Sequence, residues 1–501
     1  MLTPRNIKWD KAIDIVVVGY GMAGAVAAIT AHGEGTSVMI VEKQNAESHC
    51  SPSSLSGGLF VSSTDVKGAT DYLLALNRAG EGIGWSDPDS IRVLAEYSAR
   101  NSDWIQNLGG KVVFLCKTAE HPQLPGAGSI ELWEYRGKGL RMMQFMYQQV
   151  KTRKIDVQYQ TAAERLLTDE NGRVVGVSAI RQVGGRKRRM NIRAAKAVIL
   201  CSGGFEANEE MKLQYLKVYP SYFTGGTANT GDGIKMAQEV GADLWHMNCV
   251  SARLVAKFDD FPASFAIGFG GKNWSRHQLL GIKEKAVAGY VLVDKYGRRY
   301  TSEDFKGHAV YYELTHFDTH RLEYPRVPSY YVFDQKRMEA GALCTGGISG
   351  PHQIYKWSQD NAAELRKGWI VSGRTVSELA GKIGVTASML KETVQGWNRH
   401  CAAGHDAEFD RDPLGLIPLD TPPFYAVKLF PGGPNTQGGP RRNSRAQVMT
   451  PFGEPIPGLF AAGECGSVYG MLYPVAGGNL AECIAFGRIA AENAVQETST
   501  V

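Results

Sequence analysis

The sequence predicts an α/β protein built on a doubly wound, largely parallel sheet, with a second α+β domain inserted into the first. Three observations carry that expectation. The stretch from Asp14 to Lys43 reads as strand, glycine turn, helix, strand. A second apolar strand, Lys196 to Cys201, runs into another glycine turn, Ser202-Gly203-Gly204-Phe205. The same glycine-rich pattern returns only after residue 422, behind a long segment of different character.

Each element has its own reason. Ile15 to Val18 form a β-branched run suited to a strand buried on both faces of a parallel sheet. Gly19-Tyr20-Gly21-Met22-Ala23-Gly24 is GxGxxG between that strand and a small-residue helix, and Ser37 to Val41 form a second strand ending at Glu42. An acid about 20 residues beyond the glycines completes the unit. The glycines let the backbone approach a pyrophosphate, and the helix N-terminus faces its charge with unpaired N–H groups. Glu42 is placed to accept ribose hydroxyls. The stretch is therefore expected to be a Rossmann-like dinucleotide site.

Composition sets the bounds. A chain of 501 residues exceeds one ordinary core. Apolar and charged contents of 43% and 21% describe a globular protein, and a net charge of +5 argues against a dedicated nucleic-acid surface. No apolar run reaches membrane-spanning length, and MLTPRNIKWDK lacks the apolar core of a signal peptide, so a cytoplasmic location is expected. Eight scattered cysteines without a CxxC pair suit reduced thiols rather than a disulfide framework, and no metal site is expected.

Beyond Glu42, HCSPSSLSGGLFVSS is a small-residue loop ending at Ser56-Gly57-Gly58, open to close approach by something flat. Helical patterning covers 68–109 and LRMMQFMYQQVKT. VQYQ, ERLLTDENGRVVGVSAI and KRRMNIRAA predict strands joined by Asn-Gly and Gly-Gly turns. Asn229-Thr230-Gly231-Asp232-Gly233 opens a helix, where Asp232 reads equally as a cap or a ligand contact. These features divide the chain into residues 1–255 and 422–501 for the dinucleotide domain and 256–421 for a cap or substrate domain, with Asp420-Thr421-Pro422-Pro423 as the hinge.

VVVGYGMAGAVAA, SLSGG, ILCSGGFEANEEM, NTGDG, NTQGGP, PGLFAAGE and GGNLAECIAFGR, in this order, resemble the fumarate reductase/succinate dehydrogenase flavoprotein superfamily. Among its members the chain is most similar to the 3-ketosteroid dehydrogenase-like branch. The resemblance implies a glutathione-reductase-type FAD domain with an inserted cap. Gly19, Gly21, Ala23 and Gly24 would take the pyrophosphate, Glu42 the adenosine ribose and Ala163 the adenine, with Lys43 a further cofactor-binding residue. Ser56, Gly57 and Gly58 would lie near the isoalloxazine, Gly203 at the second glycine turn, Asp232 and Glu464 at the ribityl–phosphate portion, and Asn479 and Leu480 under the flavin. Relatives with covalent FAD carry a histidine at the position that is Ser51 here, so non-covalent FAD is expected.

The superfamily moves a hydride between flavin N5 and a carbon near an activating carbonyl, which demands a carbonyl clamp and a proton-transfer residue. Tyr473-Pro474-Val475-Ala476-Gly477-Gly478 resembles the ketone-binding segment of the steroid enzymes, implying a clamp by the Tyr473 hydroxyl and the Gly477 amide. Fumarate reductases have an arginine where Val475 stands and a histidine where Asn435 stands, which disfavours a dicarboxylate. Arg441 and Arg442 follow that loop as candidate carboxylate ligands. The steroid enzymes' catalytic tyrosine has no counterpart after Arg298-Arg299-Tyr300-Thr301-Ser302-Glu303, which leaves His308 or Tyr311 for proton transfer, with Tyr312 and Tyr330 behind them. The expected activity is α,β-desaturation of a cyclic ketone. The alternatives are an ene-reductase acting on an enoate or enone, and an electron-transfer flavoprotein subunit. The partners expected are a small ketone or enone and an electron acceptor or donor of unknown identity.

Overall fold

The computed structural model describes residues 7–78, 84–271, 277, 280, 282–304, 307–344 and 354–499. The first six residues of the N-terminal stretch, positions 79–80 of the first helical stretch, and Phe305 and Lys306 ahead of His308 lie outside the described residues. The chain forms two compact units. One comprises residues 1–216, 225–250 and 435–501, the other residues 217–224 and 251–434.

In the first unit, β1 (Lys11–Val18), α1 (Met22–Gly33) and β2 (Val38–Val41) follow in succession. Helices α2 (Val66–Asn77), α3 (Pro88–Ser98), α4 (Asn101–Asn107) and α5 (Lys138–Thr152) come next, then β3 (Asp156–Gln158), β4 (Thr161–Thr168), β5 (Val174–Val183), β6 (Arg186–Leu200) and α6 (Asp232–Glu239). Strand β1 pairs in parallel with β2 on one side, Val18 opposite Val41, and with β6 on the other, Val18 opposite Leu200. Ile15 to Val18 are buried throughout, which explains their unbroken apolar character. KRRMNIRAA and KAVILC, read from sequence as separate strands, are one strand: β6 pairs with β5 along its exposed first half and enters the parallel sheet over its buried second half.

The second unit contains β7 (Val250–Lys257), β8 (Ser264–Ala266), β9 (Tyr290–Val293), α7 (Val310–Leu314), β10 (Ser329–Asp334), β11 (Val371–Gly373), α8 (Val376–Ile383), α9 (Ala387–Ala403) and most of β12 (Phe424–Thr436). Its sheet runs β8-β7-β12-β10-β9, and β11 also pairs with β12. Val291, Val293, Tyr330 and Val332 pack against Leu379, Leu390, Val394 and Trp397 of the two helices. The Arg298–Glu303 stretch is structural here. Arg299 bridges Glu303 at 2.7 Å and Asp406 at 2.8 Å, and Arg411 reaches Glu303 at 3.2 Å. Burial opposes ionisation of Asp406, but Arg299 outweighs it and holds that carboxyl well below its usual range. Asp420 and Thr421 donate backbone N–H bonds to the Asp334 carboxylate at 3.1 and 3.0 Å, which fixes the approach to β12.

The chain then returns to the first unit through β13 (Gln447–Met449), β14 (Pro455–Ala461) and α10 (Gly478–Val495). Strand β14 joins the parallel sheet beside β6, with Ala461 opposite Leu200. Helix α10 lies against α1 through small residues: a Cβ on Gly487 would sit 3.0 Å from Ala23 O. Among the described residues no helix is long and apolar enough to cross a membrane, and none of the eight cysteines is in a disulfide.

Candidate functional site

Parallel strands place their carboxyl ends on one edge, and a ligand crevice forms where the following loops diverge. Here Val18, Val41, Leu200 and Ala461 end side by side, and the first residues beyond them stay tied to the sheet. Gly19 N–H donates to Val41 O, Cys201 N–H to Val18 O, and Ala462 N–H to Leu200 O, at 2.9, 2.8 and 3.0 Å. The cleft above these ends encloses about 770 Å³, including space open to solvent. Gly19, Gly21, Ala23, Glu42, Lys43, Ala163, Gly203, Asp232 and Glu464 all line it.

The glycine turn works by close packing at one position and open space at the next. Gly19 has φ 102°, and a Cβ there would lie 2.4 Å from Cys201 O. At Gly21 a Cβ would meet nothing nearer than Ser53 Oγ at 3.8 Å, so the glycine keeps clear the space over the α1 N-terminus. That is the cradle a pyrophosphate fills. Gly24 does not line the cleft; a Cβ there would collide with Gly19 O at 2.0 Å, so it permits the tight start of the helix.

Glu42 is already oriented. Its carboxylate accepts the N–H groups of Tyr20 at 3.0 Å and Gln44 at 2.8 Å, and His49 Nε2 stands 3.6 Å away. Burial acts against its charge, but His49 and the two backbone donors win and hold the carboxyl below its ordinary range. His49 lies parallel to the Tyr20 ring at 5.5 Å, and both belong to this end of the cleft. Lys43 Nζ pairs with Asp232 at 2.6 Å and the Thr230 hydroxyl at 2.7 Å. An acid for ribose hydroxyls, an open helix N-terminus for phosphates and a neighbouring cation are the donor and acceptor set an FAD requires, so the residues present fit that group.

A second cluster of predicted residues gathers elsewhere in the same unit. Gly477, φ 91°, precedes α10, and a Cβ there would lie 2.5 Å from the Leu59 carbonyl, directly after Ser56-Gly57-Gly58. The Tyr473 hydroxyl accepts the Asn479 N–H at 2.6 Å, on the first turn of α10. Asn479 Nδ2 donates to Asn435 Oδ1 at 2.7 Å, and Gln437 Nε2 donates to Asn479 Oδ1 at 3.2 Å. Leu480 is buried beside them in chain order. His308 and Tyr311 belong to the second unit, where both are buried, Tyr311 on α7.

Neither arginine after the NTQGG loop stands ready for a carboxylate. Arg442 is buried, ion-paired with Glu482 and hydrogen-bonded to Ala461 O at 3.0 Å. Arg441 meets Asp243 at 3.4 Å. Three residues given no role from sequence do bear on the cleft. Asn229 lines it and donates to Glu464 at 3.2 Å; Ser53 Oγ accepts the Met22 N–H at 3.4 Å; Glu206 directs a carboxylate toward the Glu464 side of Gly204. The acid following the second glycine turn was a visible signal for Glu206, but its partner is distant in sequence.

A family model described as FAD binding domain matches residues 14–480. A probable fumarate reductase of Shewanella frigidimarina is 27% identical over 508 residues, covering 97% of this chain and 75% of that protein. A 3-oxosteroid 1-dehydrogenase of Mycobacterium tuberculosis is 31% identical over 324 residues, covering 60% of this chain and 53% of that one. The crystal structure of 3-ketosteroid Δ1-dehydrogenase from Sterolibacterium denitrificans, in complex with 1,4-androstadiene-3,17-dione, superposes with a TM-score of 0.80 at 22% identity, covering 97% of this chain and 99% of that chain, a likeness of fold. The chain therefore belongs to the FAD-binding domain family and is an FAD-dependent oxidoreductase.

Proposed function

We propose that the protein desaturates a cyclic ketone, steroid-like or smaller, at the bond adjoining its carbonyl. The observation that carries this reading is the hydroxyl of Tyr473 set 2.6 Å from the Asn479 N–H on the first turn of α10. A phenol oxygen that accepts from a helix N-terminus donates its own proton more strongly. Such a donor suits a ketone oxygen, and Gly477, whose turn admits no side chain, supplies the neighbouring amide. Polarising the ketone acidifies the adjacent C–H. His308 or Tyr311 takes that α proton. FAD held in the cleft would supply the acceptor for the β hydride. The cleft residues Gly19, Gly21, Ala23, Glu42, Lys43, Ala163, Gly203, Asp232 and Glu464 would hold the cofactor non-covalently, and Ser56, Gly57, Gly58, Asn479 and Leu480 would border its reactive ring.

The 31% identity to a 3-oxosteroid dehydrogenase supports this direction. The match of almost the whole chain to a fumarate reductase favours the reverse chemistry, reduction of an enoate or enone, as a second reading. Val475 and Asn435, apolar and neutral where a carboxylate clamp needs cations, weigh against a dicarboxylate substrate. A separate electron acceptor or donor completes either cycle.

Anaerobic spectroscopy tests the proposal. Holoenzyme mixed with saturated cyclic ketones is expected to lose its oxidised-flavin absorbance. Reoxidation of pre-reduced enzyme by enones, with no bleaching by any saturated ketone, would establish the reverse reading instead. A flavin inert to both classes would contradict both.

A further inference from the structure

Glu206 and Glu464 present two carboxylates to one small space. Glu206 follows the Gly203-Gly204 turn and is only 5% exposed. Glu464 follows β14 and lines the FAD cleft. One oxygen of each has a donor: Glu464 Oε2 accepts from Asn229 Nδ2 at 3.2 Å, and Glu206 Oε1 accepts from the Thr436 N–H at 3.3 Å. The other two, Glu464 Oε1 and Glu206 Oε2, are buried and receive no donor from the described residues. Both lie on the same side of Gly204, where a Cβ would sit 2.8 Å from the first and 3.2 Å from the second. Two bare carboxylates in such a space cannot both carry charge, whereas one proton between them satisfies both orphan oxygens at once.

We propose that Glu206 and Glu464 share a single proton beside the FAD cleft, and that FAD binding depends on that proton staying in place. Glu206 acts as a positioning residue through Glu464. Burial raises the pKa of both carboxyls above the usual range, and for Glu464 the adjoining Glu206 adds to the effect. The other titratable groups near Glu464 are the Cys465 and Cys483 thiols. Arg442 is a buried cation acting on those two thiols and on Cys201. The remaining charged or titratable groups of the cleft are Tyr20, Glu42, His49 and the Lys43–Asp232 pair.

The consequence is a proton linkage. With one proton the pair carries a single negative charge; without it, two, at the cleft that would take the anionic cofactor. Bound FAD therefore raises the pair's proton affinity, and FAD affinity falls as pH rises between the free and bound pKa values. A one-proton linkage gives at most about tenfold per pH unit.

The test is FAD binding to apoprotein by flavin-fluorescence quenching from about pH 6 to about pH 9, for the native protein and Glu206→Gln. The glutamine amide donates to Glu464 Oε1 in place of the shared proton and keeps the pair's single charge. The expected result is a dissociation constant that climbs with pH in the native protein and stays flatter in Glu206→Gln. Because Glu206→Gln leaves every other side chain of the cleft in place, parallel curves would overturn the proposal. Should Glu206→Gln fail to fold, calorimetry of FAD binding to the native protein in buffers of different ionisation enthalpy decides it. Proton uptake that grows with pH toward about one per FAD supports the shared proton, and no uptake anywhere in the range overturns it. Either outcome is independent of whether the substrate is a ketone.

Discussion

At the carboxyl end of β1, the N–H groups of Tyr20 and Gln44 already hold Glu42, and Gly21 puts no side chain over the α1 N-terminus, where the Met22 N–H meets Ser53 Oγ at 3.4 Å. At the start of α10, the Asn479 N–H is taken by Tyr473, and the amides of Asn435, Asn479 and Gln437 are tied into one chain. Both regions are helix N-termini of the same unit. One is shaped in advance for a ligand with fixed phosphates. The other satisfies its donors internally, so a ligand there competes with the protein's own side chains. This difference suits a protein that binds one invariant cofactor and turns over another molecule: preorganisation favours retention, and exchangeable contacts favour release.

The comparison breaks most visibly at Gly19. With φ 102° and Cys201 O at 2.4 Å from a Cβ, Gly19→Ala is expected to lose bound flavin and destabilise the chain by about 1–3 kcal/mol from the backbone alone, read by absorbance and thermal melting. Gly477→Ala tests the other region. Displacing the turn from Leu59 is expected to lower turnover about 100-fold, read by steady-state assay at equal flavin content.

Glu42→Gln is expected to weaken FAD binding about tenfold, measured by fluorescence titration. It also carries a pH signature. The folded-state pKa of Glu42 lies below its ordinary 4.5, so its contribution to stability is present above that value and fades as pH falls through the lowered folded one. Acid unfolding of Glu42→Gln is expected to lack that component. The smallest effect belongs to Asn435→Ala, which removes the acceptor of Asn479 Nδ2 and is expected to slow turnover about fivefold, with FAD affinity unchanged.

The strand–turn–helix unit around Gly19 was legible because local residues decide it: a β-branched run, glycines where no side chain fits, and an acid at the next strand end. Other features depend on contacts the sequence does not display. Residues 90–109 read as one helical stretch, yet α3 and α4 part at Ala99-Arg100, where Asn101 Nδ2 is held by Val61 O and Ala481 O at 3.0 and 3.1 Å. Arg442 read as a candidate ligand because its ion pair with Glu482 joins residues from separate motifs. The Glu206–Glu464 pair was hidden for the same reason: each acid belongs to a recognisable segment, and only the fold brings them together.

The central claim, that the Tyr473 hydroxyl at the start of α10 activates a ketone, is tested most directly by anaerobic stopped-flow of native protein and Tyr473→Phe at equal flavin content. The account predicts flavin bleaching by a saturated cyclic ketone that slows about 100- to 1,000-fold in the variant, the range for losing one oxyanion donor. Equal bleaching rates in the two proteins would contradict it.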